Sequence, residues 1–118
     1  MQRGKVMQYE AIEQEAVVKF CEYRNIPIFA IPNGGKRNKK EAYYLRRSGL
    51  KAGVPDLCVP VAKKGYHGLF IEMKHGNNKP TEHQKEWIRL LNDNGYFAEV
   101  CVGAKEAMNL IDWYFKKE

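Results

Sequence analysis

Between residues 7 and 24 the apolar positions Ile12, Ala16, Val17, Phe20 and Cys21 recur at steps of three and four with charged residues between them. That is the period of a helix that buries one face. Asn25-Ile26-Pro27 breaks the pattern, and residues 28–31 (IFAI) read as a short buried strand. It ends at Pro32-Asn33-Gly34-Gly35, a turn in which glycine supplies positive φ. Asn38 and Glu41 have capping-box spacing and open a second helix, which Ser48-Gly49 closes. Residues 56–61 (DLCVPV) are apolar and β-branched, and residues 69–74 (LFIEMK) alternate. The hairpin-like link Lys63-Lys64-Gly65 predicts that these two strands pair antiparallel. Thr81 with Gln84 repeats the capping-box spacing, ahead of a helix with Trp87, Ile88, Leu90 and Leu91 on its apolar side and a stop at Asn94-Gly95. Residues 96–102 (YFAEVCV) form a further strand and residues 105–116 a last helix. The order α-β-α-β-β-α-β-α predicts an α/β fold, one mixed sheet flanked by helices, in a single domain over residues 1–118.

Composition bounds this picture. A chain of 118 residues with 44% hydrophobic content can bury one core and hardly two. It has no apolar run of the roughly 20 residues a membrane span needs, and no charged-then-apolar amino terminus of the secretory type. A soluble, cytoplasmic protein with no membrane partner is expected. Cys21, Cys58 and Cys101 lie far apart among apolar neighbours, so buried reduced thiols are expected. His67, His75 and His83 are equally scattered, and a zinc site would have to gather ligands from unrelated segments.

Charge becomes informative once it is located. The net charge is +6 over the whole chain, and residues 34–51 carry seven basic side chains (Lys36, Arg37, Lys39, Lys40, Arg46, Arg47, Lys51) against Glu41 alone. The remaining 13 basic and 13 acidic residues cancel. A basic segment on an otherwise neutral domain suits a polyphosphate partner, because cations that neutralise phosphates release condensed counterions. The plain alternative is a solvated helix with its usual lysines.

The strand at residues 69–74 carries chemistry. Side chains alternate along a strand, so Leu69, Ile71 and Met73 share one face while Phe70, Glu72 and Lys74 share the other. An acid and a base two apart on an otherwise apolar strand each incur a desolvation cost unless compensated. Asp56 begins the preceding strand, just after the turn Gly53-Val54-Pro55. If the strands pair, Asp56 and Glu72 converge at one end. Facing carboxylates repel unless a proton or cation lies between them, and oxygen-only ligation suits Mg²⁺ or Mn²⁺ rather than zinc. Such an ion would also acidify a bound water and neutralise charge on a phosphate, with Lys74 beside it as a further electrostatic stabiliser. The competing reading is a cross-strand salt bridge on an exposed sheet face.

Gly53-Val54-Pro55-Asp56 followed by Ile71-Glu72-Met73-Lys74 resembles the Pro-Asp … Glu-x-Lys signature of the restriction-endonuclease-like nuclease superfamily. The surroundings narrow the resemblance to the VRR-NUC group and extend it over nearly the full length. They are the leading helix from Tyr9-Glu10, the stretch from Ile31-Pro32-Asn33-Gly34-Gly35 to Lys36-Arg37-Asn38, Gly49-Leu50-Lys51-Ala52, Gly68-Leu69-Phe70, and Thr81-Glu82-His83-Gln84. The resemblance implies a restriction-endonuclease-like core and a Mg²⁺- or Mn²⁺-dependent deoxyribonuclease of a phage-infected or bacterial cell. It implies metal binding by Asp56, Glu72 and the Met73 carbonyl, with Lys74 in the family's lysine role.

It further implies an acid on the first helix. Counting back from Val17, both Glu13 and Glu10 extend the inward face, and Glu10 fits the family's spacing better. Gln84 matches a family glutamine, and two readings stay open for it: half of a capping box, or an inward-facing catalytic residue sharing a face with Trp87, Ile88 and Leu91. Asn33, Lys36, Arg37, Lys39, Lys40, Arg46 and Arg47 are the candidates for DNA contact, and Tyr43 and Tyr44 could stack on unpaired bases.

A chain this small leaves little room for a recognition domain, which favours cleavage selective for DNA structure, such as four-way junctions or flaps. A non-catalytic nucleic-acid-binding module on the same fold is the alternative, and a purely structural α/β domain a third. The resemblance implies a homodimer, for which the apolar segment Ile111-Asp112-Trp113-Tyr114-Phe115 offers surface.

Overall fold

The computed structural model describes residues 3–32 and 38–117. Its elements are α1 (Arg3–Tyr23), β1 (Phe29–Ala30), α2 (Lys39–Arg47), β2 (Leu57–Val59), β3 (Leu69–Lys74), α3 (Glu82–Asp93), β4 (Phe97–Val102) and α4 (Gly103–Phe115), the order expected. The four strands form one mixed sheet in the order β1-β2-β3-β4. The β2 and β3 strands pair antiparallel with Leu57 opposite Ile71, and β3 and β4 run parallel with Met73 opposite Cys101.

One face of the sheet is covered by α1 and α4. Leu57, Val59, Leu69, Ile71, Met73 and Cys101 point there and meet Val17 and Cys21 of α1 and Ala107, Ile111 and Tyr114 of α4. Burying each of the larger aliphatic side chains contributes about 1.5–3 kcal/mol. Tyr114 is fully buried, and its hydroxyl donates to the Val61 carbonyl at 2.6 Å, so the core contains no orphaned phenol there. All three cysteines are free and buried. The α3 helix lies against β4, and its Asn92 both donates to the carbonyl and accepts from the amide of Ala98 (3.0 Å each). That pair of bonds occupies part of the sheet edge that β4 would otherwise leave open.

Three sequence expectations are corrected. Ile12 is 54% exposed and is not on the buried stripe of α1, because five residues of helix turn it well away from Val17. The buried line instead runs back from Cys21 through Val17 to the partly buried Glu13 and Glu10. The first strand is a two-residue exposed edge, not a buried element: Phe29 at the rim of the sheet is 50% exposed. Leu90 is 49% exposed, leaving Leu91 as the buried residue of α3. The α2 helix has no buried residue at all and carries Lys39, Lys40, Arg46 and Arg47 into solvent. Among the described residues no helix is long and apolar enough to cross a membrane.

Candidate active site

The antiparallel register places Asp56, one residue before Leu57, opposite Glu72, one residue after Ile71. Residues opposed across a strand pair share a face. The strand itself begins at Leu57, one residue later than the sequence suggests, yet Asp56 stays tied to the sheet because its carbonyl accepts the Ile31 amide at 2.8 Å. The chain reaches this position through Gly53, which is buried with φ +90; a Cβ there would stand 2.5 Å from the His83 carbonyl carbon. Only glycine satisfies both demands.

The Asp56 Oδ2 accepts the Met73 amide at 2.8 Å. Glu72 is 2% exposed and Lys74 5%, so both ionisable groups lie on the sheet out of contact with bulk water, not on the solvated face that a simple salt bridge would occupy. The Lys74 ammonium stands 3.7 Å from Glu72 Oε2. Glu72 Oε1 is buried with no hydrogen-bond partner among the described residues. Burial, then the charge of Asp56, pushes the Glu72 carboxyl up to about 9, against the partial opposition of Lys74. Burial also raises Asp56, while the Met73 amide, Glu72 and Lys74 pull it back.

Glu10 contributes to the field at both carboxyls, raising each. Its own Oε2 accepts the His75 amide at 3.2 Å and the Asn78 side-chain amide at 2.8 Å. Glu13 has different partners: its Oε2 lies 3.1 Å from His75 Nδ1, and its Oε1 is 3.2 Å from where a Gly103 Cβ would stand at the start of α4. Of the two candidates, Glu10 is therefore the acid electrostatically joined to Asp56 and Glu72, and Glu13 is engaged with His75 and the α4 terminus. Gln84 completes a capping box: its Oε1 accepts the Thr81 amide at 2.8 Å and its amide donates to Thr81 Oγ1 at 3.2 Å. Asn33, Lys36 and Arg37 lie outside the described residues. Sequence reasoning missed His75 and Asn78 as partners of Glu10; the only local signal is the polar Gly76-Asn77-Asn78 turn directly after His75.

The donor set can be tested against a divalent ion. Among the described residues no three carboxylate, imidazole or thiol side chains converge as a cage, so Glu10 does not join Asp56 and Glu72 in one set here. What the structure offers is two carboxyls and the intervening Met73 backbone on adjacent strands, with one buried oxygen left unpartnered. Two facing carboxyls, one of them desolvated with an oxygen left unpartnered, must hold either a proton or a cation between them, and a hard cation would answer both the repulsion and the missing partner. The residues fit such an ion.

None of the curated proteins compared with the chain matches it. A solved structure described as a "VRR_NUC domain protein" is 33% identical, with a TM-score of 0.79 over 91% of this chain and 88% of that one. The VRR-NUC domain family model matches residues 10–105, a span that contains Glu10, Asp56, Glu72, Lys74 and Gln84. With the family matched over most of its length and the sheet arranged as in that relative, the chain belongs to the VRR-NUC domain family of nuclease modules.

Proposed function

We propose that this chain is a divalent-metal-dependent DNA endonuclease that hydrolyses phosphodiester bonds, with selectivity for branched DNA such as flaps or four-way junctions. The observation that carries the reading is the buried, unpartnered Glu72 Oε1 in a carboxyl raised to about 9 beside Asp56. A protein that only bound DNA would gain nothing from burying two acids where phosphate must approach.

Asp56, Glu72 and the Met73 carbonyl would hold Mg²⁺ or Mn²⁺. Such an ion, when bound, offsets the carboxylate repulsion, acidifies a water and draws charge from the phosphate. The chain's own residues do the positioning. The Met73 amide fixes Asp56 Oδ2 at 2.8 Å, and the sheet fixes Glu72 opposite it. Lys74, buried beside Glu72, holds its ammonium in a low-dielectric setting, where it counters negative charge growing on the phosphate and orients the attacking water. Glu10 supports this site from α1 through the His75 backbone and Asn78. A substrate role for Gln84 would have to use Nε2, since its Oε1 is bonded in the cap.

Lys39, Lys40, Arg46 and Arg47 on α2, together with Asn33, Lys36 and Arg37, supply phosphate contacts that position rather than specify. Tyr43 and Tyr44, 50% and 56% exposed, are available to stack on unpaired bases. A homodimer, with two sites for two strands, is proposed as the working unit, and Trp113, 42% exposed on α4, supplies apolar surface for it. Cleavage of duplex, flap and junction DNA with Mg²⁺, with Mn²⁺ and with EDTA tests the activity. Metal-dependent cutting of the branched substrates is expected; binding without cutting under every condition would leave a nucleic-acid-binding module.

A further inference from the structure

We propose that the cleft between the start of α1 and the turn after β3 is a nucleobase site, which takes one unpaired base of the DNA strand being cut. The proposal rests on the nuclease reading above. The cleft has a volume of about 350 Å³ and is lined by Val6, His75, Gly76, Asn77 and Asn78. That falls in the range of small-ligand sites, about 300–1,000 Å³, and is too small for a base pair with its backbones.

Its chemistry selects a base over a phosphate. Val6 gives an apolar wall, and the Asn77 side chain can donate and accept while Asn78, whose Nδ2 is held by Glu10, keeps its Oδ1 as an acceptor, as the edge of a base requires. Among the described residues no lysine or arginine lines the cleft, and the carboxylates of Glu10 and Glu13 stand on its His75 side. An anion would be repelled there; a neutral, hydrogen-bonding ring would not.

The walls are also held in place. The His75 ring stacks on Tyr9 with centroids 4.8 Å apart and planes 19° apart, and its Nδ1 is 3.1 Å from Glu13. The His75 and Asn78 backbones close the turn through a 3.1 Å bond, and Glu10 ties both residues to α1. Such preorganisation reduces the ordering cost of binding. Position then identifies the base. His75 directly follows Lys74 at the end of the strand that carries Glu72, so a base in the cleft would come from a nucleotide near the phosphate being cut. A paired base cannot enter without leaving its stack, which costs a few kcal/mol in duplex and far less at a flap or junction. The cleft therefore gives the site a physical means of preferring branched DNA.

The test places 2-aminopurine at each position flanking the cut in a flap and follows its emission as the wild-type protein binds in EDTA. Emission should change at one position only. Val6→Trp, which fills the cleft, should abolish that change and weaken flap binding by about tenfold, the scale of excluding one bound base. Affinity for fully paired duplex should stay within roughly twofold. Asn77→Ala should show the same pattern more weakly, and it carries the test if Val6→Trp does not fold by circular dichroism. An unchanged emission signal in a folded variant, an equal loss on duplex, or competition by free 2-aminopurine deoxyriboside as strong as by the flap would each overturn the proposal. Cleavage with Mg²⁺ or Mn²⁺ is read separately. A position-specific signal without cutting sinks the nuclease reading and leaves the base site standing, whereas cutting without that signal does the reverse.

Discussion

Asp56 reaches across the β2–β3 pair to accept the Met73 amide at 2.8 Å, so an acid that precedes one strand is fastened to the backbone of the next. The bond fixes one carboxylate oxygen beside Glu72 and beside the Met73 peptide. Asp56, in the bend just before β2, is thereby held against the Glu72–Met73 segment of β3 at one end of the sheet. Sites built on strands hold geometry better than sites built on loops.

The same arrangement is unfavourable to the protein alone, and this can be measured. Burial and the neighbouring Asp56 carboxyl push Glu72 up from an ordinary value of 4.5 to about 9. A carboxyl raised on folding binds its proton more tightly in the native state, so its stabilisation is present below the unfolded value and is lost as pH rises through the folded one. The metal-free protein should lose stability progressively between about pH 4.5 and pH 9. Glu72→Gln should flatten that dependence and raise the metal-free melting temperature at pH 8 by about 4 °C or more. Mg²⁺ or Mn²⁺ should stabilise the wild type and leave Glu72→Gln nearly unmoved. Differential scanning calorimetry at several pH values, with and without metal, reads all three, and a Glu72→Gln protein less stable than wild type at pH 8 would rule out a strained Glu72 carboxylate.

Lys74→Ala removes the buried ammonium but leaves Asp56 and Glu72 in place. Cleavage should fall by a factor of about 10² or more, on the scale of losing one preorganised electrostatic partner. Flap affinity should change far less, because one buried cation contributes little to counterion release. Single-turnover rates and equilibrium binding separate the two effects. A proportionate fall in both would make Lys74 a binding residue instead.

Gly53→Ala probes the turn that delivers Asp56. The added methyl would meet the His83 backbone at 2.5 Å with φ at +90, so backbone must shift. A cost of about 1–3 kcal/mol is expected. Because Pro55 and Asp56 follow directly, cleavage should drop even at temperatures where the variant stays folded. Urea unfolding and activity on the same preparation provide the check; a variant as stable and active as wild type would show that the turn does not set the position of Asp56.

Much of this site was legible in the chain itself. Period-two alternation put Glu72 and Lys74 on one face, the hairpin link implied the antiparallel pair that sets Asp56 opposite Glu72, and Thr81 with Gln84 announced the capping box that the structure contains. Two things were not legible. The exposure of Phe29 depends on which helix lies over the sheet edge, a tertiary outcome with no local signal. The ties from Glu10 to His75 and Asn78 span 65 and 68 residues, and no spacing rule connects positions so far apart. Helical periodicity could place Glu10 and Glu13 on the inward face, but only the packing of α1 against the end of β3 assigned each its partner.

Charge reversal at Lys39, Lys40, Arg46 and Arg47 addresses the location of the basic charge. All four are exposed on a helix with no buried residue, so the substitutions should leave the fold intact. The slope of log K against log salt should flatten by about 0.9 for each duplex phosphate that is no longer neutralised. Filter binding from low to moderate salt measures it, and an unaltered slope would make α2 a solvated face only.

The assembly prediction turns on α4. Within its last turns Ile111 and Tyr114 are buried and Phe115 packs on the core, so these residues serve the chain's own interior. Trp113 is left 42% exposed, resting on Phe97 at 5.1 Å with Lys64 5.4 Å above its ring. A homodimer that uses this indole should show about twice the 13.7 kDa of one chain in light scattering at micromolar concentration. Trp113→Glu should return it to the single-chain mass, because a charge in a buried apolar contact is costly to desolvate. A junction should then be nicked on one strand instead of cut on both. A wild-type mass of one chain would sink the dimer and favour a monomeric enzyme acting on flaps.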